Sequence, residues 1–116
     1  WRQGRDIEID AELGHLTEAK VTEMRAIRRQ EVEALARAAD VADGAAAAHA
    51  FVAGSPSMMM LIQADDLAGE TEPLNVPGTD TERPNWRRRL SQPVEKLMDA
   101  PMAQPILAAV KRERPQ

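Results

Sequence analysis

Carboxylate, carboxamide and indole side chains are concentrated in one stretch of this sequence. Asp65 and Asp66 follow a short apolar run, and Asn75, Asn85 and Trp86 lie in the proline-rich stretch after it. A carboxamide both donates and accepts hydrogen bonds, and an indole offers a flat apolar face on which a ring can stack. These residue types are compatible with a site that holds the hydroxyl groups of a ligand by directional hydrogen bonds.

Each of these side chains also has a purely structural interpretation. An aspartate after a strand usually caps the helix that follows, so we favour capping over ligand contact for Asp65 and Asp66. Asparagine beside turn residues is ordinary turn chemistry, and for Asn75 and Asn85 both interpretations stay open. For Trp86 we favour an anchor that packs in the core with its indole N–H bonded to a carbonyl.

The other polar groups match no common catalytic or metal-binding motif. His15 and His49 lack partner ligands at metal-binding spacing, and the sequence has no Gly-rich phosphate loop, serine nucleophile elbow or zinc motif. Arg83 and the run Arg87 to Arg89 follow several acidic residues, which favours ion pairs within the loop over a phosphate site. We therefore expect no metal and no cofactor.

The composition allows one small domain and excludes several classes of function. The 116 residues are 43% hydrophobic, but alanine and methionine supply much of this content, so the core should be thin. A net charge of −4 does not suit a nucleic-acid binder, and no apolar run is long enough to span a membrane. With no cysteine and no signal-peptide pattern, we expect a cytoplasmic protein. The first residue is Trp1, which indicates a fragment or a processed product.

Four helices are predicted to position these side chains. From Thr17 the apolar residues fall on one arc of a helical wheel, interrupted by Arg28 and Glu31, which predicts an amphipathic helix from Thr17 to Asp43 with Gly44 as terminator. The other predicted helices are Ala45 to Val52, Pro93 to Asp99 and Pro105 to Arg112.

A single strand is predicted in the middle of the chain. Met58 to Ile62 is an unbroken apolar run between turn residues, which favours a strand buried on both faces over a turn of helix. No second convincing strand occurs in the sequence. Because a lone buried strand leaves its N–H and C=O groups unpaired, we expect its neighbours to belong to a larger α/β protein. The predicted fold of these residues is therefore mainly α with one short strand.

The residues after this run resemble the closing part of the glycoside hydrolase family 77 enzymes, the 4-alpha-glucanotransferases or amylomaltases. The resemblance rests on the order and spacing of Leu61 to Gly69, Pro73 to Thr79 and Arg83 to Leu90. Within the second stretch, Val76 to Thr79 also suits a type II turn. Trp1 to Ile7 is similar to the family's segment just after its last catalytic aspartate, so the likeness covers most of the chain and weakens after Leu97.

The resemblance implies a fold and a set of site residues. Family members are (β/α)8 TIM barrels, so residues 1–54 would be a helical segment of the barrel. Residues 55–116 would supply the last strand, the substrate-side loop and the closing helices of the same domain fragment. Six residues would contact substrate, namely Asp66, Asn75, Pro77, Gly78, Asn85 and Trp86.

The resemblance also implies an activity. The family transfers alpha-1,4-glucan segments between maltooligosaccharides by a retaining double displacement that uses two aspartates and a glutamate. All three lie upstream of the position that matches Trp1, so no catalytic residue is expected here and the isolated chain should be inactive. Its partners would be glucan substrates and the remainder of the barrel. The alternative is a small helical interaction module whose helix from Thr17 to Asp43 docks on a partner protein.

Overall fold

The computed structural model describes residues 1–115, and helices account for all the regular structure in this range. The helices are α1 (Arg5–Glu12), α2 (Glu18–Ala39), α3 (Gly44–Ala53), α4 (Ala64–Ala68), a 3-10 helix (Val94–Asp99) and α5 (Ala103–Glu113). The mainly helical prediction is confirmed. The last residue of the predicted segment 55–116 lies outside the described residues.

Side-chain caps mark the starts of α2 and α3. Thr17 accepts a hydrogen bond from the Lys20 N–H at the start of α2, as predicted. At the other end α2 stops at Ala39, four residues earlier than expected. The reason is that Asp43 caps the next helix, where it accepts from Ala45 N at 3.0 Å and Ala46 N at 2.9 Å.

Gly44 begins α3 instead of terminating α2. A Cβ at this position would lie 2.8 Å from Cγ1 of Val32, so a glycine lets α3 approach α2 closely. Sequence reasoning treated Gly44 as a stop signal because glycine is common just after a helix. Close packing between two helices, which a linear pattern does not reveal, determines its role here.

Small residues form the centre of the core. Ala46 and Ala50 of α3 are buried against Ala103, Ile106 and Ala109 of α5. Because alanine side chains are short, α3 and α5 pack closely. Each residue of this contact buries only a small apolar area. Leu67, Leu97 and Ala100 close this core from the side of α4 and the 3-10 helix.

The first helix and the last two differ from the predictions. We did not predict α1, which buries Ile7 and Ile9 and begins after Gly4 at a φ of 74°. The segment predicted as Pro93 to Asp99 is a 3-10 helix rather than an α-helix, and α5 starts two residues before Pro105. None of the helices in residues 1–115 has both the length and the apolar character needed to cross a membrane.

The predicted strand is not formed. Met58 to Ile62 has no regular secondary structure, and its backbone makes no hydrogen bond with the rest of residues 1–115. Burial is also contradicted, since Met58 is 100% exposed and Leu61 is 83% exposed. A strand requires a hydrogen-bonding neighbour, and the described residues provide none. The segment is thus an irregular apolar ribbon between α3 and α4 that exposes Met58, Met59 and Leu61, while Ile62 packs against the core.

Candidate functional site

The turn predicted at Val76 to Thr79 is present and is the centre of the loop. The Thr79 N–H donates to the Val76 carbonyl at 3.2 Å, and Gly78 has a φ of 83°. Positive φ at this position requires glycine or asparagine in a type II turn, and Pro77 before it fixes the other central residue. Pro77 and Gly78 are both exposed at the tip.

Asn85 braces this turn from the opposite side of the loop. Its side-chain oxygen accepts from the Val76 N–H at 3.0 Å, and its amide donates to the Thr79 carbonyl at 3.0 Å and to Thr79 Oγ1 at 2.8 Å. Both amide hydrogens are therefore used within the loop. Asn85 is in place to shape the loop, while its side chain has little capacity left for a ligand.

Trp86 is exposed and its backbone is strained. Its φ is 60°, a region that L-residues other than glycine rarely adopt, and its N–H donates to the Leu74 carbonyl at 2.9 Å. The residue is 71% exposed, so the favoured interpretation as a core anchor is wrong. Strained backbone held by its surroundings, as here, is concentrated at ligand-binding sites.

A groove beside this turn brings three of the six predicted site residues together. Its volume is about 600 Å³, and its wall includes Asn75, Asn85 and Trp86. The remaining lining residues are Thr79, Asp80, Thr81, Arg83, Pro84 and Arg87. Hydroxyl, carboxamide and guanidinium groups thus surround one exposed indole.

Ion pairs hold the base of the loop against α1. Arg5 donates to Glu72 and, at 2.7 Å, to Glu12 Oε1, while Arg83 Nη2 lies 2.6 Å from Glu72 Oε2. These contacts lower the pKa of the Glu72 carboxyl, with the hydrogen bond from Arg5 as the main cause. The same bonds to Glu72 and Glu12 raise the pKa of Arg5. The predicted use of loop arginines in ion pairs is confirmed for Arg83.

A second set of ion pairs ties the loop to α4. Arg88 Nη1 lies 2.6 Å from Glu70 Oε2, and Arg88 Nη2 donates to Asp65 Oδ1 at 3.1 Å. Glu70 also accepts from the Ser91 N–H, and this bond is the main reason for its lowered pKa. Asp65 therefore acts in an ion pair rather than as a cap, because the cap position of α4 is Gln63.

Asp66 lies apart from the loop groove. It belongs to the body of α4 and does not cap it, so the favoured capping role is wrong for this residue too. Its Oδ2 lies 3.4 Å from Nε2 of His49 on α3, and both side chains line a separate cavity of about 310 Å³. Trp1 and Met102 also border this cavity.

Sequence reasoning missed the group that fixes Trp1. The guanidinium of Arg28 lies 5.1 Å from the centre of the Trp1 ring and pairs with both carboxylate oxygens of Asp6, at 2.9 and 2.8 Å. This bidentate pair is the main cause of the lowered pKa of Asp6 and the raised pKa of Arg28. The sequence did contain a sign of this role, since Arg28 interrupts the apolar arc of α2. Its side chain is only 13% exposed, as expected for a residue on the face that packs against the chain.

Comparison with known proteins identifies the family. The sequence profile of glycoside hydrolase family 77, described as 4-alpha-glucanotransferase, matches residues 10–95. The chain therefore belongs to the 4-alpha-glucanotransferase family, as the loop motifs predicted. No solved structure matches the chain. Within residues 1–115 no cluster of His, Asp and Glu is arranged to hold a metal ion.

Proposed function

We propose that this chain is the C-terminal part of a 4-alpha-glucanotransferase that transfers alpha-1,4-glucan segments between maltooligosaccharides by a retaining double displacement. The observation that carries the proposal is the family match over residues 10–95, which includes the loop with its exposed Trp86. The activity needs no cofactor. We propose the cytoplasm as its location, with which a sequence without cysteine is compatible.

In this proposal the loop groove contacts the glucan. Trp86 offers its exposed ring to the apolar face of a glucosyl unit, and Asn75 hydrogen-bonds to hydroxyl groups along the groove. Asn85, Pro77 and Gly78 contribute through the shape of the turn as much as through contact, because the Asn85 amide is already engaged. Asp66 would contact sugar in its own cavity.

The catalytic carboxylates are proposed to lie outside this chain. A retaining enzyme needs a carboxylic acid whose raised pKa lets it protonate the leaving oxygen. The carboxyl groups here with a shifted pKa are Asp6, Glu12, Glu70, Glu72 and Glu82, and every one is shifted downward by hydrogen bonds. Carboxylates held in the charged form are poor general acids at neutral pH.

The exposed ribbon supports a place for this fragment in a larger barrel. We propose that Met58 to Ile62 becomes the last strand of a (β/α)8 barrel when the rest of the protein supplies its neighbours. The following loop would then lie at the carboxyl end of a strand, where barrel enzymes build their active sites. Residues 1–54 would be a helical segment of the same domain, and residues 55–116 would close it.

Joining the chain to its upstream sequence tests the function. The joined protein should convert maltotriose into glucose and longer oligomers, which chromatography of the products would resolve. Asn75→Ala and Trp86→Ala should each lower kcat/KM by about tenfold or more, as expected for the loss of a hydrogen bond or a stacking contact. Arg89→Ala is the matched control, because Arg89 lies in the same segment and is exposed outside the lining of the groove.

Two results would contradict the proposal. Release of glucose without longer products would indicate a hydrolase instead of a transferase. Wild-type kinetics in both the Asn75 and Trp86 variants would remove the loop groove from the substrate site.

A second candidate function is a helical interaction module. It is favoured by α2, in which no residue is fully buried and Ile27 on the predicted apolar face is 47% exposed. This candidate predicts a stable, monomeric 116-residue product that captures a partner protein through α2. Loss of capture in an Ile27→Asp variant, without loss of helix content, would support it over the enzyme.

A further inference from the structure

The cavity beside Asp66 has the size and lining of a small-molecule binding site that is separate from the loop groove. Its volume of about 310 Å³ is at the lower end of the range for ligand pockets, which is roughly 300–1,000 Å³. Four separate parts of the chain line it: the first five residues, α3, the region from α4 to Thr71, and Met102 at the start of α5. Its apolar surface comes from Trp1, Ala45, Ala48 and Met102.

Most charges around this cavity are neutralised by partners within the chain. Arg2 Nη1 lies 2.9 Å from Asp43, and Arg5 is bonded to Glu12 and Glu72. Glu70 is paired with Arg88. An ionic ligand would have to displace one of these partners, so the cavity suits a neutral molecule.

The exception is the contact between His49 and Asp66, in which Nε2 and Oδ2 lie 3.4 Å apart. His49 Nδ1 lies 2.8 Å from the Ala45 carbonyl, which can only accept, so this nitrogen must carry the N–H. In a neutral imidazole Nε2 is then an acceptor, yet it lies 3.4 Å from the Asp66 carboxylate, which also accepts. Two acceptors therefore lie side by side at the wall of the cavity, where each can accept a hydrogen bond from a separate hydroxyl group of a ligand.

We propose that this cavity binds one neutral, hydroxyl-bearing ring, a single glucosyl unit, at a site separate from the loop groove. A sugar hydroxyl donates to Asp66 or to Nε2 of His49, and the apolar face of the ring packs against Trp1 and the alanines. Arg28 keeps the Trp1 ring in place through its cation–π contact at 5.1 Å. The choice of glucose rests on the proposed function, whereas the preference for a hydroxyl-bearing ring rests on the geometry alone.

The sequence provides four spectroscopic reporters for a test on the 116-residue chain. It has two tryptophans and two histidines. Trp1 and His49 line the cavity, Trp86 lines the loop groove, and His15 lines neither. In a titration with methyl α-D-glucoside at about pH 8, where an ordinary imidazole is neutral, NMR should show saturable shifts of the Trp1 indole and His49 ring signals. The His15 signals should not move.

Asp66→Asn is the discriminating variant, and Asp65→Asn is its control. The asparagine amide can donate to Nε2 of His49 and so satisfy the contact without a ligand, which should weaken binding of the glucoside by about tenfold or more. Asp65 is adjacent on α4, but its carboxylate bonds to Arg88 and does not line the cavity. The Asp65→Asn variant should bind as the wild type does.

The outcomes separate this inference from the proposed function. Silent Trp1 and His49 signals, or wild-type affinity in Asp66→Asn, would overturn the cavity site, even if the joined protein is an active transferase. Saturable Trp1 and His49 shifts that Asp66→Asn weakens would support it. Failure of the joined protein to extend maltotriose would count against the transferase. The NMR shifts would still show that the cavity binds the glucoside.

Discussion

Among the single residues, Trp86 has two features that each lower the stability of the folded chain. Its ring is left in water, and its backbone has a φ of 60°. A bulky residue in the left-handed region costs about 1–2 kcal/mol. The N–H bond to Leu74 and the engaged amide of the neighbouring Asn85 hold it in this conformation. Such a residue is better explained by a ligand that covers the ring than by stability.

Replacement of Trp86 by glycine and by alanine should separate strain from contact. Both variants lose the ring, but Trp86→Gly also removes the conformational penalty and should be more stable than Trp86→Ala by about 1 kcal/mol. Urea unfolding of the two variants measures this difference. Equal stability, or a more stable alanine variant, would show that the backbone at this position is not strained.

At the scale of elements, the loop between α4 and the 3-10 helix has order without regular structure. Side-chain hydrogen bonds take the place of strand pairing here. Asn85 joins the two sides of the turn, and Glu72 pairs with Arg5 of α1 and with Arg83 of the loop. The unpredicted α1 therefore matters to the groove, since it carries Arg5. A loop fixed in this way can present side chains in a defined geometry without the cost of ordering them on binding.

The ion pairs of Glu72 predict how stability depends on pH. Since the pKa of Glu72 is lowered in the folded chain, its contribution is present above the ordinary value of 4.5 and is lost as the pH falls through the folded value. Thermal unfolding followed by circular dichroism from about pH 7 down to about pH 3 should therefore show a smaller loss of Tm in Glu72→Gln than in the wild type.

Glu33→Gln serves as the control for this pH series. Glu33 lies on an exposed part of α2, 3.9 Å from Arg37, so its pairing should contribute little. This variant should follow the wild-type pH dependence. A Glu72→Gln variant that also follows the wild type would show that the link between the loop and α1 does not contribute to acid sensitivity.

At the scale of the whole molecule, the helices close a core but leave apolar surface uncovered beside it. The α3–α5 contact buries mostly alanine. The ribbon from Met58 to Ile62 exposes large side chains, and its backbone has no hydrogen-bond partner within residues 1–115. Exposed apolar residues of this kind usually mark a surface that another part of a protein covers. This exposed surface supports the proposal that the chain is part of a larger domain.

Hydrogen exchange tests whether the ribbon gains partners. In the 116-residue chain the amides of Met58 to Ile62 should exchange about as fast as in an unfolded peptide, whereas those of α3 and α5 should be protected. Joined to the upstream sequence, the ribbon amides should become protected as strand hydrogen bonds form. Protection of these amides in the short chain, or fast exchange in the long one, would contradict the barrel assignment.

Features that depend on neighbouring residues in the chain were predicted from the sequence. The start of α2 follows from the Thr17 cap, α3 from its alanine run, and the type II turn from Pro77 and Gly78. The family also followed from local motifs, because their order and spacing are properties of the sequence. Each of these signals acts over a few residues, so no knowledge of the remaining chain was needed.

Features that depend on distant parts of the chain were decided by the tertiary structure. The run Met58 to Ile62 has the composition of a strand, but residues 1–115 provide no strand beside it. Trp86 is a residue type that usually packs in a core, but the loop holds its side chain in solvent. Likewise, the contact between His49 and Asp66 joins two helices that no sequence spacing relates. Composition and periodicity determine what a segment prefers, whereas burial and hydrogen-bond pairing depend on which other segments are present to supply them.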